Sequence, residues 1–71
     1  MPIEFGENRA VFRDVVTIED AEPLFEWLLN IEEATVDMSE CEHIHTAVLQ
    51  LILLFVKKLK LQDSEKFNMW F

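Results

Sequence analysis

The hydroxyl group of Thr46 is the side-chain group in this sequence that is best placed to do chemistry. Thr46 opens a strongly apolar run that is typical of a helix, and it follows a short apolar run and a polar turn. A hydroxyl at a helix N-terminus lies beside backbone N–H groups without intrahelical partners and beside the positive end of the helix dipole. Three roles therefore stay open for Thr46: helix cap, contact with a partner, and phosphorylation site.

Two histidines stand just before Thr46 and offer a second kind of chemistry. His43 and His45 are one residue apart, which on an extended segment puts both rings on one side, as metal ligands require. The other candidate ligands close to them are Glu40, Cys41 and Glu42. The chain has no further His or Cys to complete the set. We therefore expect no metal site.

Catalysis and cofactor binding are disfavoured by what the chain lacks. Cys41 or Thr46 could act as a nucleophile only with an oriented base and an oxyanion hole, and a chain of 71 residues offers little room for such a pocket. Gly6 is the only glycine, so there is no glycine-rich phosphate loop. We expect a protein that is not an enzyme and that holds no cofactor.

Length and composition predict one small domain spanning residues 1–71. Hydrophobic residues make up 51% of the chain, with one Gly and two Pro, which indicates a globular protein. A domain of this size buries only about 60% of its unfolded surface, so some apolar surface is expected to meet a partner. The single cysteine and the absence of an apolar leader favour the cytoplasm. The longest apolar run, Ala47–Val56, is too short for a bilayer, which needs roughly 20 residues.

The charge of the chain is strongly negative and unevenly distributed. The formal net charge is −8, and residues 1–45 hold twelve acidic and two basic residues. Nucleic-acid binding is disfavoured, because phosphates attract Lys and Arg. An acidic front half suits a basic protein partner, although a solvated acidic face kept for solubility explains it as well.

The elements that would position these residues follow from the spacing of apolar side chains. Two short β-prone runs flank Gly6-Glu7-Asn8, which indicates a hairpin. Thr17 and Asp20 resemble a capping box, and Pro23 fits the third position of a helix that has Asp20 as its N-cap. The predicted elements are strands over Ile3–Phe5 and Arg9–Val16, a helix over Thr17–Asn30, a strand over Ala34–Met38, a turn over Ser39–His45, a helix from Thr46 to about Leu61, and a strand over Lys66–Phe71.

This order, β-β-α-β-α-β, predicts an α/β fold with a roughly four-stranded mixed sheet and two helices on one face. Helices between strands imply right-handed crossovers and parallel neighbours among the later strands. The second helix is apolar almost all round, so it has to be covered on more than one side. The free face of the sheet would carry either solvent-tolerant residues or a partner.

Two strings in the sequence carry a family resemblance. Val36-Asp37-Met38-Ser39 matches a strand that ends in Val-Asp-Leu-Ser. After a short turn, the string from His43 to Leu53 matches Ile-Asp-Ser/Thr-Ser/Ala-Gly-Leu at the opening of an apolar helix. The chain in these strings resembles the STAS family, the sulphate-transporter and anti-sigma-factor-antagonist domains. The likeness extends over residues 9–60 and implies a minimal, stand-alone STAS-like domain.

The resemblance transfers to this chain residue by residue. Asp37 matches the strand-end aspartate, His45 stands where the family usually has aspartate, and Thr46 matches the first hydroxyl position. Ala47 matches the second hydroxyl position, which is the phosphorylated serine in anti-anti-sigma members, and an alanine cannot accept phosphate. Val48 replaces the family glycine.

The resemblance implies a non-catalytic protein-interaction module of a bacterial regulatory assembly, either anti-sigma-factor-antagonist-like or linked to chemotaxis. Its partner would be a kinase-like anti-sigma factor, or the ATPase of an ABC-type lipid transporter. His45 could make the contact pH-sensitive. Compared with the family the C-terminus is short, which favours a homodimer, and a structural self-associating protein without a switch is the remaining alternative. The predicted partner-binding residues are Asp37, Glu42, His43, His45, Thr46, Ala47, Val48 and Leu49.

Overall fold

Four strands and two helices make up the computed structural model, which describes residues 2–65 and residue 67. Single 3-10 turns over Ile18–Asp20 and Val56–Lys58 precede α1 and β4. The elements are β1 Ile3–Phe5, β2 Arg9–Val16, α1 Ala21–Asn30, β3 Ala34–Ile44, α2 Thr46–Leu54 and β4 Leu59–Gln62.

The sheet has the spatial order β1-β2-β3-β4. β1 and β2 form an antiparallel hairpin, while β2, β3 and β4 are parallel neighbours, with α1 and α2 as the connections between them. The predicted α/β class and the mixed four-stranded sheet with two helices are confirmed.

The hairpin between β1 and β2 forms as predicted. The backbone N–H of Gly6 donates to the Arg9 carbonyl at 2.7 Å and closes the turn. A Cβ on Gly6 would lie 3.2 Å from that carbonyl oxygen, which is a tight contact. Trp27 of α1 donates its indole N–H to the Gly6 carbonyl at 3.1 Å and packs its ring against Phe5. Trp27 thus ties α1 to the hairpin at the border of the core.

The start of α1 also agrees with the capping signals. The Asp20 carboxylate accepts from the backbone N–H of Thr17 at 2.8 Å and from its hydroxyl at 3.3 Å. The α-helix itself begins at Ala21, so the segment predicted as helical from Thr17 opens with a 3-10 turn. Pro23 is the third residue of α1, where a missing N–H removes no helical hydrogen bond.

β3 is longer than predicted, which corrects the turn assigned to Ser39–His45. The strand continues from Ala34 to Ile44 and pairs with β2 through two register shifts, each of which adds one residue to β3. Because of these bulges, the buried residues Met38, Cys41 and Ile44 recur every third position instead of every second. A period of three does not follow the alternation of a regular strand, so the segment was predicted as a turn.

The second helix is shorter than predicted, which is another correction. α2 ends at Leu54 rather than near Leu61, and Leu59–Gln62 forms β4 beside β3. Half-buried Leu59 and Leu61 alternate with exposed Lys60 and Gln62. Within the described residues no helix is long and apolar enough to span a bilayer. The predicted strand over Lys66–Phe71 lies outside the described residues except for Phe67, whose backbone N–H donates to the Ser64 carbonyl at 2.8 Å.

One face of the sheet packs against both helices to form the core. α1 contributes two fully buried leucines and α2 contributes three buried aliphatic residues. The core residues are Ile3, Ala10, Phe12, Val16, Leu24, Leu28, Val36, Met38, Cys41, Ile44, Val48, Leu49, Ile52 and Phe67. Burial of this kind stabilises a domain by roughly 25 cal/mol per Å² of apolar area removed from water.

The opposite face of the sheet carries charged side chains that bridge the strands. Arg9 of β2 bonds Asp37 of β3 at 2.8 Å and Gln62 of β4 at 3.0 Å. Arg13 of β2 lies 3.3 Å from Glu4 and 3.6 Å from Glu40, and both acids raise the pKa of its guanidinium, the Glu4 hydrogen bond most. These charged side chains are solvent-tolerant residues, one of the two possibilities expected for this face.

Candidate functional site

The eight predicted partner-binding residues do not form a single site. Asp37 lies on the charged face of the sheet, eight residues before His45 along β3. At roughly 3.3 Å per residue of strand, that separation is at most about 26 Å. The other seven residues lie at the end of β3 or in the first turn of α2.

The Asp37 carboxylate is used in hydrogen bonds within the fold. Its carboxylate accepts from the backbone N–H of Ser39 at 2.9 Å and from Arg9 at 2.8 Å. These hydrogen bonds, those from Ser39 most strongly, hold the pKa of the Asp37 carboxyl below its ordinary value. Only 8% of Asp37 is exposed, so it fixes β3 against β2 and offers little surface to a partner.

His45, rather than Thr46, caps α2. The backbone of His45 is extended, with φ −66° and ψ 141°, and its Nδ1 accepts from the Ala47 N–H at 3.0 Å. The backbone N–H of His45 in turn donates to the Val16 carbonyl at 2.9 Å, which anchors the cap to β2. The helix-cap role considered for Thr46 is therefore wrong, because the imidazole already fills that position.

Thr46 is the first residue of α2, and its side chain is exposed. Its hydroxyl makes no hydrogen bond to another residue in the part of the chain that the structure describes. It also lies in the first helical turn, where backbone N–H groups favour negative charge. The Thr46 hydroxyl therefore faces solvent and does not cap the helix.

A shallow depression of about 240 Å³ lies beside Thr46. His43, His45 and Thr46 contribute the polar part of its lining, and buried apolar side chains form the rest. The lining residues are His43, Ile44, His45, Thr46, Leu49 and Phe67. The depression is located at the carboxyl end of β3, where ligands of open α/β sheets characteristically bind.

The remaining predicted residues divide between the surface and the core. Glu42 and His43 are exposed on β3, and Ala47 is half-buried on α2. Leu49 is 3% exposed and contributes to the lining of the depression. Val48 has no exposed area, so its assignment as a partner-contact residue is corrected. We call the accessible set the docking edge; it consists of Glu42, His43, His45, Thr46 and Ala47.

Sequence reasoning missed two exposed apolar side chains beside the docking edge. Val15, 47% exposed, pairs in register with His43. Ile18, 53% exposed, belongs to the 3-10 turn that packs against α2. The adjacent pair Val15-Val16 does indicate one exposed valine, because successive residues of a strand face opposite ways and only one of them can enter the core.

The cysteine and the two histidines do not assemble into a metal site. Cys41 is buried, and its thiol donates to the His43 carbonyl at 3.4 Å. Within residues 2–65 and 67, no three His, Cys, Asp or Glu side chains converge on one point. The Nδ1 of His45 is also occupied by the Ala47 N–H.

Comparisons with protein-family models, with curated proteins and with solved structures found no match for this chain. The resemblance to the STAS family therefore stays a prediction from the two strings that carry it.

Proposed function

We propose that the chain is a non-catalytic, STAS-like interaction module that binds a protein partner through the docking edge. The observation that carries the proposal is the division of roles at the start of α2. His45 caps the helix, so the Thr46 hydroxyl is exposed next to a depression without contributing to the fold. The surrounding polar side chains then form an accessible surface on a rigid strand end.

The chemistry of the docking edge favours a basic partner with some apolar contact surface. Glu42 and Asp14 are exposed near this edge, and neither forms an ion pair with another described residue. Exposed Val15 and Ile18 add apolar area beside them. A positively charged surface would be attracted to the acids, and the apolar side chains would supply the area that is removed from water.

The resemblance limits the partner to two classes in a bacterial cytoplasm. One is a kinase-like anti-sigma factor, and the other is the ATPase subunit of an ABC-type lipid transporter. Ala47 occupies the position that a kinase would phosphorylate in the first class. Thr46, one residue earlier, is the accessible hydroxyl, so phosphorylation would add charge in the first turn of α2, where the helix dipole favours it.

A matched pair of charge-adding variants tests the proposal. Thr46→Lys places a positive charge in the docking edge, where it would repel a basic partner, whereas Asn8→Lys places the same charge in the exposed hairpin turn before β2, at the opposite end of the parallel strands. Both variants are used as bait in extracts of the native host, with bound proteins quantified by mass spectrometry. We expect Thr46→Lys to lose a partner that wild type and Asn8→Lys retain. Equal recovery of every partner by all three proteins would refute the docking edge.

A further inference from the structure

The outer surface of the helical layer carries a continuous apolar patch. On α1, Phe25 and Leu29 are one turn apart and 39% and 57% exposed. At the end of α2, Leu54 is 73% exposed, and Val56 follows at 39%. The helix patch, as we name it, consists of Phe25, Leu29, Leu53, Leu54, Phe55 and Val56.

Two contacts show that the α1 and α2 parts of the helix patch are continuous. The rings of Phe25 and Phe55 lie 6.0 Å apart, centroid to centroid. Phe55 also lines a mainly apolar depression of about 280 Å³ with Leu54 and Val56. A small domain rarely leaves this many large apolar side chains together in water without a partner for them.

Opposite charges border the helix patch at its two ends, with the acids toward the start of α1 and the lysines beyond the last residues of α1 and α2. Glu22 and Glu26 are exposed on the same face of α1 as Phe25 and Leu29, because they follow i, i+3, i+4, i+7 spacing. On the α2 side the patch ends at Lys57 and Lys58, which line the same depression. Lys58 is held in place, since its Nζ bonds the Ile31 carbonyl at 2.9 Å and lies over the Phe55 ring at 5.1 Å.

From this arrangement we propose that the occupant of the helix patch is a second copy of this chain, related to the first by a two-fold axis. In a two-fold interface the same patch meets itself, so with the axis crossing the helices the acidic border of each copy faces the basic border of the partner copy. Glu22 and Glu26 of each copy would then face Lys57 and Lys58 of the other, while the apolar side chains meet in the centre. An unrelated partner has no comparable reason to match both borders.

The dimer would leave the docking edge accessible. The docking edge surrounds the beginning of α2, whereas the helix patch lies at the last turn of α2 and on the outer face of α1. The two surfaces are therefore independent, and failure of one proposal does not imply failure of the other.

An aspartate substitution with a matched control tests the apolar part of the interface. Leu54→Asp places a charge in the helix patch, and Ile18→Asp places the same charge on an exposed apolar residue outside it, which is 53% exposed against 73% for Leu54. Sedimentation velocity over a dilution series of the full chain gives the dimer dissociation constant. We expect wild type and Ile18→Asp to dimerise alike, and Leu54→Asp to weaken the dimer by roughly tenfold or more. A wild type that stays monomeric, or equal effects of the two substitutions, would overturn the proposal.

A charge swap tests the two-fold pairing itself. Glu22→Lys/Glu26→Lys would set lysine against lysine across the axis, and Lys57→Glu would remove attraction on the other border. Each variant alone should dimerise more weakly than wild type, and an equimolar mixture should form a heterodimer that restores the affinity. Circular dichroism verifies that both variants are folded. If the mixture is no tighter than the variants alone, the two borders do not meet and the proposed interface is wrong.

Discussion

Two neighbouring side chains at the start of α2 separate the stability of the domain from its proposed contact. The His45 ring satisfies the Ala47 N–H, while the Thr46 side chain extends into solvent beside the depression. A helix-capping acceptor is worth about 1 kcal/mol, whereas an exposed surface residue without such a bond changes stability by less than about 0.5 kcal/mol.

His45→Ala is therefore expected to lower the free energy of unfolding by about 1 kcal/mol, and Thr46→Ala to leave it almost unchanged. Urea unfolding followed by circular dichroism measures both values. His45→Asn serves as the control, because asparagine is a strong N-cap residue and should recover most of the loss. A larger loss for Thr46→Ala than for His45→Ala would contradict the assigned cap.

The lowered pKa of Asp37 makes the free energy of unfolding depend on pH, so that this residue stabilises the fold more at neutral than at acidic pH. Because hydrogen bonds from Ser39 and Arg9 lower the pKa in the folded state, the ionised carboxylate stabilises the fold above its ordinary pKa of about 3.9. That contribution is lost as the pH falls through this value toward the lower folded-state pKa.

Asp37→Asn keeps an acceptor for the Ser39 N–H but removes the charge. Wild type is therefore expected to be more stable than Asp37→Asn at pH 7, with the difference shrinking below about pH 4. Urea unfolding of both proteins at pH 7, 5 and 3 gives the comparison, in which the other carboxylates largely cancel. A difference that is constant across these pH values would show that Asp37 is not stabilised as a carboxylate.

At the scale of elements, the regular parts of the fold were predictable and the irregular parts were not. The hairpin, α1 and the first half of β3 follow apolar spacing and capping residues. The bulged half of β3 was missed because its buried residues recur every third position. β4 was missed because its four residues, in which Leu59 and Leu61 alternate with Lys60 and Gln62, extend an apolar helical pattern, and only pairing with β3 makes them a strand.

The candidate site was predictable only where it is continuous in sequence. The string from Glu42 to Ala47 was identified directly, since neighbours in the chain remain neighbours on the surface. Val15 and Phe67 join the same region through strand register and through the folding of the last described residue. The pair Val15-Val16 signals that one of the two valines faces away from the core, but a single sequence contains no direct signal for the contacts that bring Val15 and Phe67 to this region.

The two faces of α2 give the element-scale prediction. Ile52 has no exposed area, whereas Leu54 is 73% exposed, although both belong to a helix whose sequence is apolar almost all round. In dilute solution, Ile52→Ala should cost about 2–5 kcal/mol, and Leu54→Ala less than about 0.5 kcal/mol. Thermal unfolding of the two variants distinguishes them. Similar losses at both positions would mean that α2 is covered on both sides.

At the scale of the whole molecule, the domain presents three surfaces with different properties. The charged face of the sheet is internally paired through Arg9 and Arg13. The helix patch is apolar and bordered by opposite charges, which suits a second copy. The docking edge is mostly polar and accessible, carries Glu42 with exposed Asp14 nearby, and lies at the end of β3 and the cap of α2. Separate surfaces allow self-association and partner binding at the same time.

Photo-crosslinking in the native host tests the central proposal, partner binding at the docking edge, most directly. A photoreactive amino acid is placed at Thr46 in one protein and at Asn8, in the hairpin turn, in the other. We predict that Thr46 gives a discrete crosslinked product with a second, different protein and that Asn8 does not. If Thr46 gives no product, or if both positions capture the same proteins in equal yield, the docking edge is not where this domain meets its partner.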